Sequence, residues 1–231
     1  MVNKVIERCD ILIEVIDARF PELTRNPKIE QKILEKEKKL IYVVNKIDLV
    51  ESREIFLKIK EITPRVEVSI KEKRGITKLR DHIKMHAKNI QKNVYVGVIG
   101  YPNTGKSSII NALAQRKTTR ISSESGMTKG MQFVRISKSM MLVDSPGVFP
   151  AVNDDSHVLV SAVDFTKVKE PDYYIDLIFE QFPGVLERHY EVSSIEEYAQ
   201  KRGFIKKGKE LDIDRAAKEI LKDWQQGKIT V

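Results

Sequence analysis

Cysteine is almost absent from this chain. Cys9 is alone, so no internal disulfide can form, and a reducing cytoplasm is the expected compartment. Long hydrophobic runs are absent too. None approaches the ~18–20 apolar residues that cross a bilayer, so no membrane partner is expected. The opening stretch, MVNKVIERCDILIEV, carries Arg8, Cys9 and Asp10 before its apolar run, with no small-residue cleavage site after it. It does not read as a signal peptide, and neither end carries a lipidation signature. Only four histidines occur. His82 and His86 have a spacing that suits a metal, but no third ligand accompanies them and a closed zinc site needs four, so both read as surface residues. Internal repeats and low-complexity segments are also missing.

What remains is a soluble globular composition, 41% hydrophobic and 32% charged over 231 residues. That length supports one sizeable core plus a small appendage. The formal charge is +8, and its distribution is uneven: residues 1–164 carry +9 and residues 165–231 carry −1. Attraction to a polyanion therefore belongs to the first part.

Short apolar runs rich in β-branched residues read as buried strands: DILIEVI (10–16), LIYVVN (40–45), RVEVSI (65–70), VYVGVIG (94–100), MQFVRIS and MMLVDS. Between them lie helical patterns. Asn26-Pro27 suits a helix start, with Asn capping and Pro in the first turn. KIEQKILEKEKK, ESREIFLKIKEI and SSIINALAQR follow the same period, and Ile76, Leu79, Ile83, Ala87 and Ile90 form one apolar face. The alternation predicts an α/β fold, with a mainly parallel sheet covered by helices on both faces. Past residue 165 only helical patterns remain: DYYIDLIFEQF, SIEEYAQKRGF and DRAAKEILKDWQQGK. In the last, Ile213, Ala217, Ile220, Leu221 and Trp224 share a face. The expected domains are 1–164 and a small all-helical domain, 165–231.

GYPNTGKS, Gly100 to Ser107, has the G-x-x-x-x-G-K-[ST] spacing after a strand and before a helix. The loop's backbone N–H groups, including those around Asn103 and Thr104, can surround a β-phosphate at the positive end of the helix. Gly105 lets the backbone approach, Lys106 bridges the β- and γ-phosphates, Ser107 ligates magnesium, and Ser108 follows in the first turn. NKID, Asn45 to Asp48, ends a buried strand. Asp48 can accept hydrogen bonds from the ring N–H and the exocyclic amine of guanine, whereas adenine would leave the carboxylate unpaired. Asn45 would bond the base and tie its loop to the phosphate loop, and the Lys46 stem would cover the purine face. In DSPG, Asp144 would hold magnesium through water and the Gly147 N–H would meet the γ-phosphate. Backbone N–H groups of Ser69, Ile70 and Lys71 could reach the guanine oxygen; a plain strand end reads as well on that stretch alone.

The order of these motifs is N-K-x-D, S-x-K, phosphate loop, a G-x-T loop, then D-x-P-G. That order resembles the circularly permuted GTPases of the YlqF/YawG family, which act in ribosome assembly. DARFP and TRNP in the first loop are similar to the family as well. The likeness covers about residues 5–150, with the helical tail in the position of the family's C-terminal domain. It implies a circularly permuted P-loop GTPase fold, binding of GTP and GDP with magnesium, and a switch role on the large ribosomal subunit or its RNA. It also implies that GMTKG (126–130) is a switch loop whose Thr128 is a second oxygen ligand of magnesium, so that Lys106, Thr128 and Gly147 form the catalytic set. Two departures stand out. Ile70 occupies a position where the family has a small residue, so its side chain must point away from the base. The bacterial branch has a longer N-terminus carrying a histidine, and any catalytic role of that histidine does not carry over.

Val148 follows DSPG where many GTPases place a glutamine that orients water, so slow intrinsic hydrolysis is expected. Asn103 resembles an asparagine that in related GTPases helps bind potassium, which would supply positive charge to the transition state; a turn role fits it equally. The permutation leads DSPG directly toward the helical domain, so nucleotide state is expected to reach that domain through residues 145–165. Lys73, Arg74, Arg80, Lys84, Lys88 and Lys92 form a candidate RNA-contacting stripe on and around the helix at 75–92, and a solvated helix face is the plain alternative. No DNA partner is expected, and the chain reads as a monomer. Two rivals stay open here: a GTP-gated RNA-binding module in which hydrolysis is incidental, and a metabolic kinase, against which N-K-x-D argues.

Overall fold

The computed structural model describes residues 2–90, 93–114, 120–121, 132–137, 139–144 and 156–231. The chain separates into two compact units, Met1–Asp48 with Arg53–Val152, and Leu49–Ser52 with Asn153–Val231. The four residues after the N-K-x-D motif thus group with the helical tail. No helix among the described residues is long and apolar enough to cross a membrane.

The first unit runs α1 (Val2–Arg8), β1 (Ile11–Asp17), α2 (Pro27–Glu35), β2 (Lys39–Asn45), α3 (Arg53–Glu61), β3 (Arg65–Val68), α4 (Ile76–Ala87), β4 (Val94–Gly100), α5 (Lys106–Ala114), β5 (Arg120–Ile121), β6 (Gln132–Ser137) and β7 (Met140–Asp144). Seven strands among the described residues form one sheet in the order β3-β2-β1-β4-β7-β6-β5. The first five in that order are mutually parallel, and β6 and β5 complete the sheet antiparallel. The mainly parallel α/β sheet expected from the sequence is present. β5 is two residues long and α1 runs almost directly into the apolar stretch of β1, so neither leaves a pattern of its own in the sequence.

β1 lies at the centre and is buried on both faces. Ile11, Ile13 and Val15 pack with Ile41 and Val43 of β2 and Val96 and Val98 of β4, under Leu79 and Ile83 of α4 and Ile109 and Leu113 of α5. Burying each such side chain contributes roughly 1.5–3 kcal/mol, so this layer dominates the unit's stability. α1 packs against β4 and α2 against β2. Gly97 lets α1 close down: a Cβ there would lie 2.8 Å from both Leu12 and Val5 and 3.0 Å from the sulfur of Cys9. Burial pushes the Cys9 thiol up to about 12, so it stays protonated and inert at neutral pH.

α2 starts as its sequence requires, with Pro27 in the first turn and the Asn26 side chain accepting from the Ile29 N–H at 3.2 Å. Glu14, on the central strand, accepts from the Asn26 N–H at 2.9 Å and fixes that entry. Arg25 grips Glu30 with two hydrogen bonds, 3.0 and 2.6 Å, and the Tyr42 hydroxyl donates to the same carboxylate at 2.7 Å. Burial, with Glu30 nearby, holds the Glu14 carboxyl well above the ordinary range.

The second unit contains α6 (Ser156–Leu159), α7 (Pro171–Gln181), α8 (Val185–Tyr190), α9 (Ile195–Arg202) and α10 (Ile213–Gln225). Ala217, Ile220, Leu221 and Trp224 of α10 are buried, and the Trp224 indole donates to the Leu159 carbonyl at 2.9 Å. Ser194 and Asp212 cap α9 and α10. The backbone of Val231 pairs with the segment after N-K-x-D: its N–H donates to Leu49 at 2.8 Å and its carbonyl accepts from Ser52 at 3.1 Å.

Candidate nucleotide-binding site

Five parallel strands bring their C-terminal ends to one edge, where ligands bind in open α/β sheets. In register at that edge, Asp17 of β1 faces Asn45 of β2, and Val98 of β4 faces Asp144 of β7. Motifs far apart in the chain therefore meet.

The loop after β4 is tightly bound to itself. Thr104 is fully buried and its hydroxyl donates to the Tyr101 carbonyl at 2.9 Å. Gly105 has φ +100°, and a Cβ there would lie 2.2 Å from Nδ2 of Asn45. Only glycine fits between the two motifs. Lys106 opens α5, and its ammonium donates to the Tyr101 carbonyl. Burial pushes Lys106 down to about 8, with the Asp144 charge opposing the shift. Asp144 is half-buried and shifted upward by burial, with Lys106 opposing in turn. Ser107 and Ser108 are exposed in the first turn of α5. Asn103 lies in the left-handed region at φ +58°, a conformation that asparagine tolerates.

At the other end, Asn45 is buried and its Nδ2 donates to the Thr104 carbonyl at 2.8 Å. This is the tie between base loop and phosphate loop that the sequence led one to expect. Lys46 follows at φ +62°, its ammonium 2.7 Å from Oδ2 of Asp17. Asp48 is partly exposed in a short 3-10 turn, Ile47–Leu49.

The Ser69 N–H donates to the Arg74 carbonyl at 3.1 Å, so of the three backbone groups proposed for the guanine oxygen this one is already engaged. Those of Ile70 and Lys71 make no backbone hydrogen bond among the described residues. The Ile70 side chain packs against the sheet core and, with Ser108, lines a groove of about 600 Å³ between α4 and α5. Its bulk is absorbed by packing.

Of the cationic stripe, Lys73, Arg74, Lys84 and Lys88 are exposed. Arg80 is otherwise engaged: its guanidinium donates to the Ala112 carbonyl at 2.6 Å, near the C-terminus of α5. Carbonyls there have no helical partner, and a cation suits the dipole. Arg80 thus leaves the stripe, for a reason that helical spacing cannot reveal. Thr128, Gly147, Val148 and Lys92 lie outside the described residues, as does most of the 145–165 connection.

Residues 95–211, just over half of the chain, match the family model described as 50S ribosome-binding GTPase. The chain belongs to this GTPase family. The match begins at β4, where the ordinary motif order starts, and leaves out N-K-x-D, which the permutation has moved upstream. An uncharacterized GTP-binding protein of Methanocaldococcus jannaschii is 40% identical over 99% of this chain and 65% of its own length. Nucleolar GTP-binding protein 2 of Saccharomyces cerevisiae is 37% identical over 98% of this chain and 51% of its own. GTPase grn1 of Schizosaccharomyces pombe is 34% identical over 98% and 59%. The chain thus spans between about half and two thirds of these relatives' lengths. Among solved structures, GNP-bound YlqF from T. maritima matches with a TM-score of 0.68 and 22% identity, covering 99% of this chain and 94% of that one. The fold is that of the circularly permuted GTPase.

The Asp17–Lys46 pairing lies outside the motifs that the sequence marks. Its signal is the charged DAR triplet, Asp17 to Arg19, that begins on the last residue of the central strand.

Proposed function

We propose that this chain binds GTP and GDP with magnesium, hydrolyses GTP slowly, and acts as a nucleotide-dependent switch in assembly of the large ribosomal subunit. One observation carries the nucleotide part: the hydrogen bond from Asn45 to the Thr104 carbonyl joins a guanine-type motif to a phosphate loop. Asp48 would then accept from the guanine edge, and the Lys46 stem would lie along the purine face. The N–H groups of Ile70 and Lys71 would reach the guanine oxygen.

The donor set fits magnesium. An exposed Ser107 hydroxyl at the helix start stands with a half-buried carboxylate, Asp144, whose upward shift by burial a cation would reverse. Magnesium would neutralise charge building on the phosphates; Thr128 is proposed as its second protein ligand. Lys106 would bridge the β- and γ-phosphates, recovering its full charge against them, and the Gly147 N–H would sense the γ-phosphate. Val148 cannot orient water by hydrogen bonding, which is the reason to expect slow turnover. Asn103 is the candidate position for potassium assistance.

The ribosomal part rests on the family's description and on the exposed cations Lys73, Arg74, Lys84 and Lys88, which suit RNA phosphates. Nucleotide state would pass through residues 145–165 into the helical part, which as a compact unit begins at Asn153 rather than at the expected 165, and the proposed compartment is the cytoplasm. GTP hydrolysis in potassium buffer, with and without large ribosomal subunits, tests this reading. Strong stimulation by the subunit is expected. Equal, slow turnover in both would remove the ribosome-coupled role and favour a GTP-gated RNA-binding module.

A further inference from the structure

We infer that Asp17 is a positioning residue for nucleotide binding, fixing the Lys46 side chain so that its stem is laid out as a purine-covering surface before any nucleotide arrives. The inference rests on the guanine reading of Asn45 to Asp48.

Asp17 ends the central strand and is wholly inaccessible to solvent. Its carboxylate accepts four hydrogen bonds. Oδ1 takes the Arg19 N–H and Nε, both at 3.1 Å; Oδ2 takes Arg19 Nη2 at 2.9 Å and the Lys46 ammonium at 2.7 Å. The backbone around it is equally fixed. The Asp17 N–H donates to the Thr24 hydroxyl at 3.1 Å, and the Ala18 N–H donates to the Asn45 carbonyl at 2.8 Å. The loop that begins with DAR is therefore bonded both to Asn45 and to Lys46, the first two residues of the base motif.

A lysine on a polar turn normally samples many rotamers, and holding it costs up to about 2 kcal/mol of side-chain entropy. Here that ordering precedes binding. The Lys46 side chain is only 19% exposed and its head is drawn onto a buried anion. Burial would push the Asp17 carboxyl upward, but Arg19 and Lys46 more than reverse it, so the anion persists across the working pH range. Arg19 is itself fully buried, so the carboxylate serves two cations and only one belongs to the base motif. Preorganisation of this kind strengthens binding by lowering what the ligand must order.

A stem lying on a purine face reads no edge. Weakening its anchor should therefore speed release of every purine nucleotide equally, leaving the Asp48-based preference intact. Dissociation of ribose-labelled fluorescent GDP and IDP from the whole chain measures this, since inosine lacks the exocyclic amine. The D17N/R19Q pair removes the anionic anchor together with the second cation it serves. It should release both ligands about tenfold faster, the loss of one charge-assisted hydrogen bond. R19Q alone keeps the Asp17–Lys46 bond and should stay within about twofold of wild type. K46M should speed both releases equally, and adding D17N/R19Q to it should change little further.

Unequal acceleration of GDP and IDP would overturn the inference, because Asp17 would then be holding the whole loop. So would D17N/R19Q at wild-type rates, or full additivity with K46M. Circular dichroism checks that the Asp17 variants fold. If they do not, K46M decides: unchanged release of both ligands defeats the inference. A wild-type chain that fails to hold labelled GDP defeats the guanine reading itself.

Discussion

The two ends of the proposed nucleotide site differ in how their lysines are partnered. At the base end, the cation of Lys46 sits on the carboxylate of Asp17 at 2.7 Å, and Arg19 shares that anion. At the phosphate end, Lys106 donates to a neutral carbonyl, and burial has lowered its pKa to about 8. Asp144, also shifted by burial, is only partly offset by Lys106. The Lys46 cation has a carboxylate partner before a ligand arrives, although burial still outweighs that partner and lowers its pKa. The phosphate end holds unspent charge that polyphosphate and magnesium would complete. The difference follows from what each end must recognise: a flat, neutral purine needs a rigid surface, while a polyanion needs cations not yet neutralised elsewhere.

The sharpest way to break the comparison is Lys106→Ala. It should weaken GDP and GTP by at least about a hundredfold, because the lost partner is a buried charge rather than a covering stem. Calorimetry in buffers of differing ionisation enthalpy should also show proton uptake on binding. Free Lys106, with its depressed value, is largely neutral near pH 9 and mostly charged at pH 7. Uptake should therefore approach one proton at about pH 9 and fall toward zero as the pH drops to about 7.

Next in size is Gly105→Ala. Its Cβ would press on Asn45 Nδ2 in a backbone conformation that disfavours side chains, at a cost of about 1–3 kcal/mol. Because Gly105 stands between the two motifs, base and phosphate binding should fall together. Guanosine, which lacks phosphates, and inorganic pyrophosphate should each bind more weakly in competition assays.

The smallest effect lies beneath the site. Glu14 is a buried acid whose folded pKa is raised, so its penalty grows as the pH climbs above the unfolded value of about 4.3. Glu14→Gln keeps an oxygen to accept from the Asn26 N–H and removes the ionisation. It should raise the melting temperature by a few degrees at about pH 7, with the gain vanishing near pH 4.

Much of this architecture was legible. β-branched runs marked β1, β2, β3, β4, β6 and β7, and a parallel strand buried on both faces, as β1 is, needs continuous apolar sequence. The motifs at Asn45–Asp48, Gly100–Ser107 and Asp144 each begin at the end of a strand, as their spacing predicts. Three things were not legible. Asp17 binds Lys46 across 29 positions, a pairing that exists only once β1 and β2 lie in register. Arg80 looks like one more lysine-like cation on a periodic face until α5 ends beside it. Leu49–Ser52 follows a motif of the first unit yet groups with the second, because Val231 hydrogen-bonds to it. Each depends on contacts that span the chain rather than on local pattern.

The central claim is that Asn45 to Asp48 and Gly100 to Ser107, reversed in order, close one guanine-nucleotide site. Substituting Asp48→Asn and comparing GDP with XDP tests it most directly, since xanthine carries a carbonyl where guanine carries the amine. The account predicts that the wild type prefers GDP and that the variant exchanges this preference for XDP. A variant that still prefers GDP, or a wild type indifferent to the two, would contradict it.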